Sequence, residues 1–116
     1  MKILIADDSD AMRNCIRALI SAEVEVVECR NGREAVRAYA AGGIDWALMD
    51  IEMPEQDGLS AAREIKAHHP DAHILFVTGH DGPRLRAEAA LLSRAFVLKD
   101  RLDEIGPYLS GKRISP

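Results

Sequence analysis

The sequence predicts an α/β fold, a doubly wound parallel five-stranded sheet with helices on both faces. Three observations predict it. Short apolar runs alternate along the chain with stretches whose apolar residues recur at helical spacing. Most of the runs are apolar at every position, as strands covered on both faces are. The runs also end, at their carboxyl edges, in polar residues: Asp7-Asp8, Asp50, Thr78 and Lys99.

Ile3-Leu4-Ile5-Ala6 reads as the first buried strand. Met12, Cys15, Ile16, Leu19 and Ile20 then recur at helical spacing, with Asp8 or Ser9 placed to cap that helix. Val24 to Cys29 alternates more, as a less buried strand does. Asn31-Gly32-Arg33-Glu34 resembles a capping box, followed by the stripe Ala35, Val36 and Tyr39. Trp46-Ala47-Leu48-Met49 is a third strand. A proline loop leads to a helix bearing Leu59, Ala62 and Ile65, for which Asp57 with Gly58 serves as cap. His73 to Val77 is the fourth strand, and Leu85, Ala89 and Leu92 mark the fourth helix. Ala95-Phe96-Val97-Leu98 is the fifth strand. A last helix carries Leu102, Ile105 and Leu109, but Gly106-Pro107 falls inside it. Proline inside a helix costs about 3 kcal/mol, so this helix is short, broken or restarted with Pro107 in its first turn.

The chain of 116 residues is the size of one domain with one hydrophobic core. Its apolar share of 47% and charged share of 29% are ordinary globular usage, which argues against disorder. The net charge of −4 and scattered basic residues exclude nucleic-acid binding by electrostatics alone. Cys15 and Cys29 lack metal-type spacing and read as reduced thiols of a cytoplasmic protein. No apolar run is long enough to span a bilayer, and the N-terminus lacks a signal-peptide cleavage pattern. His68, His69 and His73 read as exposed. Residues 1–110 are expected to form the domain, with 111–116 as the start of a linker.

In an open parallel sheet the binding crevice lies outside the carboxyl ends of the strands. Asp7, Asp8, Asp50, Thr78 and Lys99 would therefore converge there. Three carboxylates in one crevice repel one another, and a bound cation relieves that. An all-oxygen ligand set favours Mg²⁺, or Mn²⁺, over zinc. An aspartate carboxylate is also a competent nucleophile toward phosphoryl groups, whose oxygens a cation, an ammonium and a hydroxyl can hold.

Asp7-Asp8, Asp50, Met53-Pro54-x-x-Asp57-Gly58, Thr78 and Lys99, in this order and spacing, resemble the set carried by CheY-like response-regulator receiver domains over about residues 2–105. The resemblance implies a flavodoxin-like (βα)5 sheet in the order 2-1-3-4-5. It implies that Asp50 accepts a phosphoryl group from a sensor histidine kinase. Asp8 and Asp50 would ligate Mg²⁺ through their side chains, Glu52 through its backbone carbonyl, and Asp7 mainly through water. Lys99 and Thr78 would bind the phosphoryl oxygens, and Phe96 would be the aromatic that turns on switching. Glu52 and His80, two residues past Asp50 and Thr78, would tune the phosphoryl lifetime. The domain would act only on itself, not as an enzyme on other substrates.

The segments Ile3 to Asp8, Leu48 to Gly58 and Phe96 to Asp100 are similar to NarL/LuxR-type regulators, which carry a helix-turn-helix domain after the receiver. The ending Gly111 to Pro116 resembles the linker before that domain. The resemblance thus implies a signalling switch, with a homodimer and a DNA-binding domain beyond this chain as further expectations. A phosphorylation-independent interaction module is the remaining alternative. No Gly-rich phosphate loop supports a free-standing ATPase.

The largest departure from the family pattern is the last helix, interrupted at Gly106-Pro107, and three other places depart as well. Asp100 follows Lys99 where proline is frequent, so a trans bond is expected there. Gly79 replaces the usual alanine. Leu92-Ser93-Arg94 stands where a glycine usually ends the fourth helix.

Overall fold

The computed structural model describes residues 1–110. Its elements are β1 (Lys2–Ala6), α1 (Asp10–Ala18), β2 (Glu25–Cys29), α2 (Gly32–Ala40), β3 (Trp46–Met49) and α3 (Gly58–His68). They continue with β4 (Ile74–Thr78), α4 (Pro83–Ala90), β5 (Ala95–Leu98), a 3-10 turn (Leu102–Glu104) and α5 (Ile105–Leu109). All pairings are parallel and the strand order is β2-β1-β3-β4-β5. The flavodoxin-like order and alternating architecture expected from the sequence are those observed. The expected linker at 111–116 lies outside the described residues.

Strand pleating divides the core into two layers. Leu4, Ala6, Met49 and Phe76 face one side, with residues of α2 and α3 and Ala89 of α4. Ile3, Ile5, Leu48, Leu75, Val77 and Val97 face the other, against Ile16 of α1 and Ile105 of α5. The register sets Ala6 opposite Cys29 and Met49, and Met49 opposite Phe76. The carboxyl ends therefore finish nearly level, which brings the polar residues that follow them to one edge.

Local chemistry explains the helix boundaries. Ser9 accepts a hydrogen bond from the Met12 N–H and caps α1. Asn31 accepts one from the Glu34 N–H, while Glu34 reaches back to the Arg30 N–H, one residue beyond the usual capping-box partner. The missing glycine after α4 is replaced by a side-chain device: the Ser93 hydroxyl donates to the Ala89 carbonyl at 2.7 Å. Pro107 occupies the third position of α5, inside its first turn, after the 3-10 turn has ended. Its missing N–H costs nothing there. All peptide bonds of the described residues, including Lys99–Asp100, are trans.

The stripe predicted for α1 is corrected in part. Ile16 is buried, but Cys15 is exposed, and Leu19 is an exposed C-cap. The helix turns Met12, Arg13 and Ile16 toward the sheet instead, so an arginine occupies a position that periodicity assigns to the solvent side. α4 likewise ends before Leu92, with Ala89 as its one fully buried residue. His69 and His73 are half-buried, packed against Tyr39 and Trp46 respectively. Among the described residues no helix is long and apolar enough to cross a membrane.

Candidate functional site at the carboxyl edge of the sheet

β1 delivers Asp7 and Asp8 to the edge, β3 delivers Asp50, β4 ends in Thr78, and Lys99 follows β5. Asp7, Asp50 and Thr78 are buried, whereas Asp8 is exposed. Each buried residue is fixed by backbone bonds. The Asp7 N–H donates to Cys29 O at 3.0 Å and the Asp50 N–H to Ala6 O at 2.9 Å. Asp50 Oδ1 accepts from the Ile51 N–H, and Thr78 Oγ1 from the His80 N–H.

Lys99 joins the acids. Its Nζ donates to Asp50 Oδ2 at 3.1 Å and lies 2.9 Å from Asp7 Oδ2. The second contact is an ion pair within hydrogen-bond distance, and Asp7 Oδ2 is buried with Lys99 as its charged neighbour. Burial pushes the Asp50 carboxyl above its ordinary pKa; the Lys99 bond pulls it down and the Asp7 charge adds to the rise. Burial alone would depress the Lys99 ammonium, but its contacts with Asp7 and Asp50 outweigh that and raise it.

One carboxylate oxygen from each of Asp7, Asp8 and Asp50 lies within 4.8 Å of the others. An all-oxygen cluster of that size, three carboxylates against the one Lys99 ammonium, fits a hard divalent cation. Its open side is a cleft of about 540 Å³ lined by Asp8, Glu52, Met53, Pro54 and Asp57.

The remaining predicted residues surround this crevice. Glu52 and His80 are exposed, and their side chains pair with each other across the loops after β3 and β4. Phe96 is half-buried, with the Arg86 guanidinium 4.6 Å from its ring centroid. Arg86 also pairs with Asp81 in the loop after β4, so this one side chain ties that loop to β5. Asp57 Oδ1 accepts from the Ser60 N–H and caps α3. Asp57→Ala should cost about 1 kcal/mol in urea unfolding while leaving any chemistry at Asp50 unchanged. A loss of phosphoryl labelling in that variant would instead give Asp57, which lines the cleft, a part in the chemistry beyond its cap.

Three contributors were not legible as site residues. Gly58 lets the start of α3 pack on the strand end: a Cβ there would lie 1.9 Å from Asp50 O. Gly32 is held similarly, since its Cβ would lie 2.3 Å from Gln56 O, and its N–H donates to that oxygen. These contacts fix the loop from Ile51 to Asp57 at both ends. Arg13, buried on α1, donates to the Asp7 carbonyl at 2.6 Å.

The family model for the response regulator receiver domain matches residues 3–102. The chain is 42% identical over 78 residues to the chemotaxis protein CheY of Halobacterium salinarum, covering 66% of this chain and 65% of that one. It is 36% identical to the response regulator receiver protein CpdR of Brucella abortus, over 93% of this chain and 96% of that protein. It spans only 25% of a Vibrio cholerae protein-glutamate methylesterase/protein-glutamine glutaminase, at 40% identity. Among solved structures, the signal receiver domain of NarL from Mycobacterium tuberculosis superposes with a TM-score of 0.85 at 27% identity, covering 98% of this chain and 97% of that one. With the acidic edge built as described and the family model matched along most of its length, this chain belongs to the response regulator receiver domain family of two-component signalling.

Proposed function

We propose that the domain is a switch thrown by phosphorylation of Asp50. The observation that carries this reading is the Lys99 ammonium shared between the buried carboxylates of Asp7 and Asp50. It presents a nucleophilic oxygen beside fixed positive charge, where a phosphoryl group needs its own charge held. In the transfer from a sensor histidine kinase, an Asp50 oxygen forms the new bond to phosphorus. The P–N bond to the kinase imidazole breaks, and the imidazole leaves with that electron pair.

Asp8, Asp50 and the Glu52 carbonyl, with Asp7 through water, would hold Mg²⁺ or Mn²⁺. When bound, the ion neutralises phosphoryl oxygens. Lys99 moves from pairing two carboxylates to pairing the phosphoryl group. The Thr78 hydroxyl, already placed at the same edge, donates to another phosphoryl oxygen. That bond draws in the loop after β4, to which Arg86 ties Phe96, and so alters the face formed by α4 and β5. Glu52 and His80, paired at the mouth, govern how water reaches the phosphoryl group.

The test is labelling by acetyl phosphate with Mg²⁺. The wild type should be labelled and Asp50→Asn should not. Undiminished labelling of the variant would sink the assignment. The resemblance of its motifs to NarL/LuxR-type regulators, and a likeness to a DNA-binding response regulator of the LuxR family from Staphylococcus aureus, favour a second reading of the output, a receiver regulating an attached helix-turn-helix domain. A reading frame that continues past Pro116 into such a domain supports it, and a stop codon there rules it out.

A further inference from the structure

Among the described residues, the buried polar or charged ones are Asp7, Asp50, Thr78 and Arg13. The first three belong to the crevice. Arg13 lies on α1 and needs its own explanation, because a buried guanidinium is costly unless its donors are spent. Each of its three nitrogens has an acceptor. Nε donates to Glu28 Oε1 at 2.9 Å, Nη2 pairs with Asp10, and Nη1 donates to the Asp7 carbonyl at 2.6 Å.

Charge alone does not account for this arrangement. Arg17 also pairs with Glu28, at 2.7 Å, so Arg13, Arg17, Asp10 and Glu28 form a self-neutral cluster. The bond that reaches out of the cluster is the one to the Asp7 carbonyl. That carbonyl belongs to the peptide joining Asp7 to Asp8, just past the end of β1. The Asp7 N–H is held by Cys29 O, and Asp7 Oδ1 by the Ser9 N–H. Those two bonds hold the preceding peptide and the Asp7 side chain; the Arg13 bond is the one on the Asp7–Asp8 peptide itself, whose orientation bears on where both carboxylates point.

We propose that Arg13 is a positioning residue for the acidic crevice. Its guanidinium fixes the Asp7–Asp8 peptide so that the two carboxylates are aligned in advance for a divalent cation. This inference rests on the metal reading above. Partners that orient metal ligands without touching the metal typically contribute 10- to 100-fold in affinity. Lysine cannot replace arginine here, since one ammonium does not span Glu28 and the Asp7 carbonyl in a fixed fork.

The test is a Mn²⁺ titration of the full chain, read by loss of the free-ion EPR signal, with circular dichroism reporting the fold. Arg13→Lys should weaken Mn²⁺ binding about tenfold or more. Arg13→Met should do the same, and Arg17→Ala, which touches Glu28 but not Asp7, should stay within about twofold of wild type. Arg13→Lys binding within about threefold of wild type overturns the inference, as does an equal loss in Arg17→Ala. If neither Arg13 variant folds, Arg13 is a folding residue and the positioning role is overturned. Wild-type protein that binds no Mn²⁺, or whose binding survives Asp8→Asn, overturns the metal reading itself. Binding lost in Asp8→Asn but kept in Arg13→Lys overturns only the role of Arg13.

Discussion

Gly58→Ala is expected to destabilise the domain by about 3 kcal/mol, at the upper end of ordinary overpacking, and to slow labelling of Asp50. The added methyl would lie 1.9 Å from Asp50 O and 2.9 Å from Ile51 Cα, and neither is the tip of a flexible side chain. Either α3 retreats, breaking the Gly58 N–H bond to Ile51 O at 2.7 Å, or the end of β3 shifts. Both routes move the backbone that carries the phosphoacceptor. A displacement near 1 Å in a reacting group can cost on the order of 10²-fold in rate. Urea unfolding should show a midpoint lower by roughly 1–3 M, given an m-value of about 1–3 kcal/mol/M. Gly106→Ala is the control. Its Cβ meets nothing within 4 Å and its backbone is helical, so it should be neutral or stabilising by up to about 1 kcal/mol. A neutral Gly58→Ala would show that this close approach contributes nothing.

That contrast illustrates what the sequence discloses. Asp57-Gly58 reads as a helix cap, and Asp57 is one, but the close approach of Gly58 to Asp50 is a tertiary fact. The strands were legible because runs such as Ile3 to Ala6 are apolar at every position, which a sheet covered on both faces requires. The crevice was legible because its residues follow those runs directly. Strand order came from family resemblance and not from periodicity, which carries no information on which strands neighbour one another.

The burial of Arg13 is not legible in the sequence, for a physical reason. On a helix surrounded by Asp10, Asn14 and Arg17 it reads as solvent-facing, while its acceptors Glu28 and the Asp7 carbonyl lie on other elements. Cys15 and Leu19 are the converse case: apolar residues at nearly the right spacing, but rotated past the buried face. The role of Arg86 over Phe96 is likewise set by a contact between elements, which no local pattern encodes.

Asp50→Asn is expected to make the metal-free domain more stable, by about 1 kcal/mol near neutral pH. The wild-type carboxylate is buried and sits in the field of Asp7, and these effects outweigh its bond from Lys99, so its folded pKa is raised. A raised carboxyl pKa means that the folded protein binds the proton more tightly than the unfolded chain. The associated stability is fully present below the unfolded value of about 4 and is lost as pH rises through the folded pKa. In EDTA the advantage of the variant should therefore open as pH increases from about 4 and level off above the folded pKa. Lys99 does not distort this window, because its own raised pKa concerns stability lost only in the alkaline range, and in the variant it still pairs with Asp7. Saturating Mg²⁺ should reverse the order. A cation that binds only the folded state adds about 2.7 kcal/mol at 100 times its dissociation constant, and the neutral amide of the variant leaves one charge fewer to hold it. Urea unfolding with EDTA and with Mg²⁺, each across pH, reads both halves. A variant less stable than wild type in EDTA would show that the Lys99–Asp50 bond outweighs burial and crowding, and the crevice would then be a structural ion pair and not a site held ready for charge.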